Sequence, residues 1–384
     1  MSDGRKLRIF VLIDALGWEF LKRKEFLSDL LPCRMPLQTV LGFSSGAIPT
    51  ILTGVSPEQN GHWNLFYYDP QHSPFRWIRY FSFLPDRAVE HRITRRLIKE
   101  LGRRVLGMGP LFECCISPRL LPWFNWVEKR NIYGYRGIMH ARSIFDELAE
   151  KGVLHRVYSY HDGSDEEILR RATKDVALGR VSFLFLYLSE LDLFLHHNCH
   201  ERASWEERLD WYAAGLRELF QHAQKNNSDL SFTVLSDHGM TPVRHHHDLL
   251  SEVERLQLKS PDDYLAVYDS TMARFWFFNE HARHRITQCL QNSPCGRILS
   301  EQKLRDSGVF FPDRRYGELI FLMHPGWMLS RSNFNGRGWM PVGMHGYDPA
   351  DSYSDAVFLS NHKPPTSLRT IADVYQCMSE ALTQ

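Results

Sequence analysis

Three aspartates in this sequence each follow closely on a short apolar segment that is typical of a buried strand. The segments are residues 8–13, 181–188 and 232–235, and the carboxylates are Asp14, Asp192 and Asp237. Continuous apolar runs between helical patterns predict parallel strands that are covered on both faces. Because the carboxyl ends of parallel strands share one edge of a sheet, the three carboxylates are expected to meet in one cleft. Taken singly, each aspartate is equally compatible with a helix-capping role.

Histidines stand close to two of these aspartates. His196 follows Asp192 by four residues, His238 follows Asp237 directly, and His345 lies late in the chain between Met344 and Gly346. Carboxylate oxygen and imidazole nitrogen together form the ligand set of zinc, and of manganese or iron where oxygen is richer. The combined pattern predicts a metal centre at the edge of the sheet.

A serine pair marks a candidate nucleophile. Residues 42–54 have the pattern of a loop, a short helix and a glycine stop, with Pro49 expected within the first helical turn. Ser44 or Ser45 would then lie at the helix start, where free N–H groups and the helix dipole favour a phosphoryl group. A divalent cation can activate a serine hydroxyl as a nucleophile. On this segment alone, a helix-capping serine is the simpler interpretation.

Composition bounds the class of protein. The 384 residues carry 46 basic and 45 acidic side chains, and this balance excludes the footprint of a dedicated nucleic-acid binder. A 43% hydrophobic content allows a sizeable core and excludes wholesale disorder. Seven cysteines without a C-x-x-C pair favour a reducing compartment. The first apolar run is too short for a secretory signal and no membrane span is evident, so we expect a cytoplasmic protein.

The remaining segments predict one α/β domain with two additions. Further helices are expected at residues 141–151, 165–178, 204–225 and 371–382. Residues 62–140 are aromatic and basic, with glycine and proline breaks at Gly107, Gly109, Pro110 and Pro118, and predict an inserted cap. Residues 245–335, with apparent strands at 273–278 and 318–323, predict an accessory lobe.

Two features of these additions admit a functional and a structural interpretation. The cap could bind a lipid-linked diester or a membrane surface, but a self-contained aromatic core or an oligomer contact is the favoured alternative. The run His245, His246 and His247 suggests metal binding, yet three consecutive side chains cannot all reach one ion from regular structure. A surface loop is therefore expected there, and no role is assigned.

Taken in order, these motifs resemble the alkaline phosphatase superfamily, and most closely its type I phosphodiesterase/nucleotide pyrophosphatase branch. The resemblance spans residues 11–348, and its most specific element is the Ser-Asp-His-Gly-Met sequence at residues 236–240. In that family the nucleophile lies nine residues before the threonine of a Thr-Gly pair. Counting back from Thr53 selects Ser44 rather than Ser45.

The resemblance implies two divalent metal ions, with zinc expected and manganese or iron as alternatives. By position, Asp192, His196 and His345 would hold one ion. The second would be held by the remaining matched residues, which are Asp14, Ser44, Asp237 and His238. The implied reaction is in-line attack of Ser44 on phosphorus, with a covalent phospho-serine intermediate that water then releases.

The implied substrate class is a phosphodiester or pyrophosphate, carried by a phosphorylated small molecule or a lipid- or sugar-linked diester. Ala47 stands where nucleotide pyrophosphatases usually carry asparagine, which weakens the case for a nucleotide. Two other functions stay open: a phosphotransferase that uses an alcohol acceptor, and a non-catalytic metal-bound scaffold that acts through the cap. The sequence leaves the oligomeric state open.

Overall fold

The computed structural model describes residues 6–81, 83–106, 116–333 and 340–382. Its centre is a six-stranded sheet in which four neighbouring strands run parallel. In spatial order the strands are Cys33–Leu37, Ala356–Ser360, Asp229–Leu235, Lys6–Ile13, Phe183–Leu188 and His155–Tyr158. Ala356–Ser360 runs antiparallel to both of its neighbours. The prediction of an α/β fold with a central, largely parallel sheet is confirmed.

The strand Lys6–Ile13 lies in the middle of the sheet. It pairs in parallel with Phe183–Leu188 on one side and Asp229–Leu235 on the other, which places Val11 opposite both Leu186 and Val234. Every residue of the strand after Lys6 is buried. The continuous apolar run is therefore required, because helices cover both faces of the strand. All three strands predicted from the sequence are present.

Two hydrophobic cores cover the two faces of the sheet. On one face, the helices Asp165–Ala177 and Arg202–Asn226 pack through buried side chains such as Ile168 and Leu216. On the other face, Ile51 and its neighbours pack beside residues from the end of the chain. The helices are held by this burial, since an isolated helix of such length is marginally stable in water.

The four helices predicted away from the serine segment are all present, with small shifts at their ends. They are Ile144–Glu150, Asp165–Ala177, Arg202–Asn226 and Val374–Glu380. The first begins later than expected because Ser143 and Asp146 form a reciprocal capping box. The last is preceded by a 3₁₀ turn at Ile371–Asp373.

A second sheet is built from residues in the predicted accessory region. Its four antiparallel strands, in spatial order, are Tyr264–Tyr268, Met272–Phe277, Leu319–Met323 and Gly296–Ile298. Arg274 lies on the strand Met272–Phe277 and is fully buried, and its Nε donates to Asp269 at 2.7 Å. The pairing satisfies both charges, as burial of an ion pair requires.

The expectation of a surface loop at residues 245–247 is wrong. His245–His247 is a strand that pairs in parallel with Trp327–Leu329. The three imidazoles are exposed or half-buried, His245 lies against the Trp327 ring, and Nε2 of His247 is 3.1 Å from Glu252. Sequence reasoning missed the strand because its pairing partner is some eighty residues away in the chain.

Part of the aromatic segment packs onto the second sheet. The strands Phe66–Tyr68 and Phe124–Trp126 pair with each other. Phe75 and Trp126 are buried in one cluster with Trp276 of the second sheet. This agrees with the structural interpretation of the aromatic residues. Of the expected breaks, Gly107, Gly109 and Pro110 lie outside the described residues.

Most of the remaining elements are short. The longer ones are the basic helix Arg92–Arg104 and the helices Ser44–Thr53 and Glu280–Gln291. The other helices are Trp18–Leu21, Pro57–Asn60, Asp86–Val89, Glu190–Asn198, Leu249–Glu254 and Glu301–Asp306. The 3₁₀ turns are Arg76–Phe81, Leu121–Trp123 and Ser352–Ser354, and two-residue strands occur at Thr241–Pro242 and Gly343–Met344. Among the described residues, no helix combines the length and the apolar character needed to cross a membrane.

Candidate active site

Parallel pairing brings the predicted carboxylates to one edge of the sheet. Asp14 follows the central strand directly, and its backbone N–H donates to the Leu188 carbonyl at the end of the neighbouring strand. Asp237 follows the strand on the other side, from which Ser236 alone separates it. Asp192 lies in the first turn of the helix Glu190–Asn198. The helix-capping alternative does not hold, because none of the three carboxylates accepts from the first turn of a following helix.

Asp192, His196 and His345 form the first cluster. The spacing of four residues places Asp192 and His196 on one helix face, with Oδ2 of Asp192 3.2 Å from Nε2 of His196. The other oxygen, Oδ1, lies 3.4 Å from Nε2 of His345. The Nδ1 atom of His196 is 2.8 Å from the Gly343 carbonyl, which fixes the ring so that Nε2 faces the cluster.

Asp14, Asp237 and His238 form the second cluster. Nε2 of His238 lies 3.4 Å from Oδ1 of Asp14 and 3.2 Å from Oδ2 of Asp237. The Nδ1–H of this imidazole donates to the Gly239 carbonyl at 2.9 Å, which leaves Nε2 as the inward-facing atom. The hydroxyl of Tyr187, on the neighbouring strand, donates to Oδ2 of Asp14. Both carboxylates are almost fully buried.

A glycine contact makes room for this second cluster. A side chain on Gly239 would meet the Tyr353 carbonyl oxygen at 2.2 Å, so no other residue fits there without a shift of backbone. Gly17 approaches the same glycine, and a Cβ on Gly17 would meet its Cα at 2.9 Å. The glycine of the Ser-Asp-His-Gly-Met sequence is therefore explained by close packing of three loops.

The two clusters bring buried carboxyl groups close together, and their pKa values shift as a result. Burial, followed by the nearby charges of Asp237 and Asp192, raises the pKa of Asp14 well above its usual value. Burial would also raise the pKa of Asp192, but the imidazoles of His196 and His345 hold it below its usual value. Burial and the neighbouring His238 hold the pKa of His345 well below its usual value.

The donor atoms of both clusters fit divalent cations. Oδ1 of Asp14, Oδ1 of Asp192, Oδ2 of Asp237 and Nδ1 of His345 are buried and make no hydrogen bond within the described part of the chain. In each trio one ligand atom per residue lies within 4.8 Å of the others. Buried polar atoms are normally satisfied, and mixed carboxylate–imidazole sets are what zinc and related ions bind. The chain thus carries two candidate metal-binding groups.

Ser44 is the first residue of the helix Ser44–Thr53 and lies beside the second cluster. Its Oγ is 2.9 Å from Nε2 of His238. Ser45 is engaged elsewhere, because its hydroxyl donates to the Trp63 carbonyl at 3.0 Å. The helix-capping interpretation does not hold, since the N-cap residue is Phe43 and no side chain caps this helix.

Pro49 is not in the first turn, as the sequence suggested, but at the sixth position of that helix. The helix begins earlier than proline alone would indicate, and the bond that Pro49 cannot donate is the one to the Ser45 carbonyl. Hydroxyl groups bind neighbouring carbonyls instead: Thr50 donates to Gly46 at 2.9 Å and Thr53 to Pro49 at 2.7 Å. Packing of the buried helix outweighs the proline penalty.

A cavity of about 350 Å³ opens beside Ser44 and contains residues that the sequence analysis missed. Asn64 lines it and is 2% exposed. Glu128, Tyr133 and Tyr160 line it as well. All four belong to, or follow, the segment that was interpreted as a cap. A polar residue inside an aromatic run, as at Asn64, was the available signal. Ala47, by contrast, is buried in the core.

The fold is that of the alkaline phosphatase superfamily. The sequence profile of the type I phosphodiesterase / nucleotide pyrophosphatase family matches residues 9–348, so the chain is a member of that family. It is accordingly a hydrolase of phosphoester bonds in a metal-dependent family. The match covers nearly the whole chain and includes both clusters and Ser44.

Solved structures with low sequence identity share the fold. Human ectonucleotide pyrophosphatase / phosphodiesterase 5 matches with a TM-score of 0.68 and 15% identity, over 98% of this chain and 95% of that one. An inactive variant of murine ectonucleotide pyrophosphatase / phosphodiesterase 5, in complex with AMP, matches with a TM-score of 0.67 and 16% identity. The match covers 98% of this chain and 95% of that one. Phosphonoacetate hydrolase from Sinorhizobium meliloti 1021, in complex with phosphonoacetate, matches with a TM-score of 0.65 and 12% identity. The match covers 98% of this chain and 96% of that one. Among curated protein sequences there is no significant match.

Proposed function

We propose that this protein hydrolyses a phosphodiester or pyrophosphate bond with Ser44 as the nucleophile and a covalent phospho-serine intermediate. The observation that carries the proposal is the position of Ser44 Oγ at a helix start, 2.9 Å from Nε2 of His238 in a buried Asp/His cluster. The family supports phosphoester hydrolysis, and the geometry supports this serine as the attacking group.

Two divalent ions are proposed, one for each cluster. Asp192, His196 and His345 would hold one ion, while Asp14, Asp237 and His238 would hold the other beside Ser44. Zinc suits these donors best, with manganese and iron as alternatives. When bound, such a pair supplies Lewis-acid stabilisation of the attacking and leaving oxygens in an in-line displacement.

The chain's own residues position the reacting groups. The N–H groups of Ser44 and Ser45 belong to the first helical turn, where the helix itself supplies no acceptor. The next two, of Gly46 and Ala47, donate to the Phe43 carbonyl. Together with the carboxamide of Asn64, the N–H groups of the two serines would donate to the phosphoryl oxygens. Asn64 would thus do what the family resemblance implies for an asparagine at the position of Ala47.

The proposed reaction has two in-line steps. In the first, Oγ of Ser44 forms a bond to phosphorus, its proton passes to solvent water, and the bond to the leaving alcohol or phosphate breaks. In the second, a water oxygen attacks phosphorus, the bond to Oγ breaks, and the serine hydroxyl regains a proton. Two inversions give net retention of configuration at phosphorus, a stereochemical result that a single direct attack by water does not give.

The proposed substrate is a phosphorylated small molecule or a lipid- or sugar-linked diester. The murine variant is in complex with AMP and the bacterial hydrolase with phosphonoacetate, so proteins of this fold bind unlike phosphorus compounds. We further propose that residues 62–140 act as a cap and residues 245–335 as an accessory lobe around the cavity. The described cysteines are all free, which supports a reducing, cytoplasmic setting.

Steady-state hydrolysis of bis(p-nitrophenyl) phosphate tests the proposal directly. Protein purified with zinc should turn the diester over, and chelation should abolish turnover until the metal is restored. The Ser44→Ala variant should be inactive, and trapping with a labelled substrate should mark Ser44 only in the wild type. Turnover that is independent of metal, or full activity of Ser44→Ala, would reject the proposal.

A further inference from the structure

The solvent-facing side of the cap carries apolar side chains that its buried aromatic core does not use. Phe75 and Trp126 are buried next to the second sheet, whereas Tyr80 and Phe83 are 81% and 77% exposed. Leu97, on the basic helix of this segment, is 65% exposed. Exposed apolar residues that occur singly are ordinary, but a contiguous group of them indicates a surface that binds another body.

A groove of about 630 Å³ joins these side chains into one apolar surface. The 3₁₀ turn Arg76–Phe81 and the helix Arg92–Arg104 both line it, through Phe81 and Leu97 among others. The centroid of the Phe83 ring lies 6.4 Å from that of Phe81. The name docking face is used below for this groove together with three exposed side chains around it, which are Tyr80, Phe83 and Ile93.

The docking face carries a strong positive charge. Residues 76–104 contain nine basic and three acidic side chains, although the whole chain has a net charge of only +1. Arg92 and Arg96 lie four residues apart on the helix, as do Ile93 and Leu97, and all four are exposed. A basic row and an apolar row therefore lie side by side on the open surface of the helix. This combination is typical of helices that lie on anionic membranes.

Two arginines bring further positive charge to the groove itself. The Arg79 guanidinium lies 4.8 Å from the centroid of the Trp123 ring, and Arg119 donates to the Leu84 carbonyl. All four of these residues line the groove. Arginine side chains in such a position hold their charge at the level of lipid phosphates, while their stems and the neighbouring rings contact hydrocarbon.

We propose that the docking face binds the surface of a bilayer that contains anionic lipids. Its apolar side chains would reach the boundary between head groups and acyl chains, and its arginines would pair with lipid phosphates. Two copies of a basic face repel each other, which disfavours self-association. A nucleic acid would match the charge but not the exposed aliphatic side chains of Ile93 and Leu97. The inference does not depend on the proposed hydrolysis.

Flotation with lipid vesicles tests the inference on the zinc-loaded protein. Vesicles of phosphatidylcholine with about 30% phosphatidylglycerol should bind the wild type at least about tenfold more strongly than phosphatidylcholine alone, and about 0.5 M NaCl should release it. Arg96→Glu should weaken this binding by about tenfold and Leu97→Gln by about fivefold. The controls Arg170→Glu and Leu154→Gln alter similarly exposed residues outside the docking face and should bind as the wild type does.

The outcomes separate lipid binding from other causes. Because Arg96 and Leu97 are exposed, both variants should keep the wild-type melting temperature, which excludes unfolding as the reason for weaker binding. Absent binding, equal binding to both kinds of vesicle, or wild-type binding by both variants would overturn the inference. So would tighter binding of polyuridylate than of anionic vesicles, or a wild-type dimer that Leu97→Gln dissociates. Vesicle binding by a protein that hydrolyses no ester would reject the proposed function alone.

Discussion

The imidazole rings of His238 and His345 stack with centroids 3.9 Å apart and planes inclined by 14°. Each ring belongs to a different Asp/His cluster, so the stack joins the two candidate metal-binding groups into one buried unit. Burial and the neighbouring His238 hold the pKa of His345 well below its usual value, which favours a neutral His345 imidazole with a free lone pair.

Separate substitutions of Ser44 and Ser45 should distinguish the nucleophilic serine from the one with a structural role. Ser44→Ala removes the oxygen that faces His238 and should lower kcat for bis(p-nitrophenyl) phosphate by at least about 10³-fold. Ser45→Ala removes only a hydrogen bond to the Trp63 carbonyl and should stay within about tenfold of wild type. Both are measured at equal zinc content. If Ser45→Ala were the more damaging change, the assignment of Ser44 would be wrong.

Substitution of Asp14 should have opposite effects on the protein with and without metal. Asp14→Asn removes a carboxyl whose ionisation is disfavoured by burial and by the nearby carboxylates, and it keeps an oxygen for the Tyr187 hydroxyl. Without metal, the variant should unfold at a higher temperature than the wild type. Its free energy of unfolding should be higher by on the order of 1–3 kcal/mol. With zinc, the wild type should gain more stability than the variant, since ligand binding to the folded state stabilises it.

Thermal unfolding with chelator and with excess zinc gives both comparisons for Asp14. Asp210→Asn serves as a control, because its carboxylate pairs with Lys24 on the exposed surface. It should shift the midpoint little in either condition. Equal behaviour of Asp14→Asn and the control would contradict the account of an acidic site that awaits cations.

Truncation of Asn64 should weaken the chemical step. Asn64→Ala removes the carboxamide proposed to donate to a phosphoryl oxygen, and should lower kcat by about 10²-fold with a smaller change in KM. Asn125→Ala is a matched control, because its equally buried carboxamide donates to Asp69 at 3.0 Å and does not line the cavity beside Ser44. A change confined to KM would reassign Asn64 to substrate binding.

The buried carboxyl of Glu128 should make stability depend on pH. Burial raises its pKa from 4.5 to about 7, so the folded chain retains a proton that the unfolded chain has released within that window. The free energy of unfolding of the wild type should therefore fall as pH rises from 4.5 to 7. Glu128→Gln does not titrate, so its stability relative to wild type should increase across that window by on the order of 1–3 kcal/mol.

Melting temperatures of wild type and Glu128→Gln, both without metal, test this prediction on either side of the window. The difference between the two proteins should be small in acid and largest above neutral pH. A difference that is independent of pH would show that Glu128 is already neutral or already paired throughout.

The sequence was sufficient to predict the sheet and the donors of both clusters. Strands such as residues 8–13 are continuous apolar runs, and a strand that ends in Asp14 places its carboxylate at a known edge. The cavity lining was not predictable, because Glu128 and Tyr160 come from loops whose approach depends on packing between distant segments. The strand at His245–His247 was missed for the same reason, and Pro49 because tertiary burial overrode its helix-breaking tendency.

The central claim is tested most directly by a crystal structure of zinc-loaded protein grown with orthovanadate, with anomalous data at the zinc edge. The account predicts two anomalous peaks about 4 Å apart. One should be bound by Asp192, His196 and His345, the other by Asp14, Asp237 and His238, with vanadium bonded to Ser44 Oγ. Zinc at neither cluster, or vanadate held away from Ser44, would contradict it.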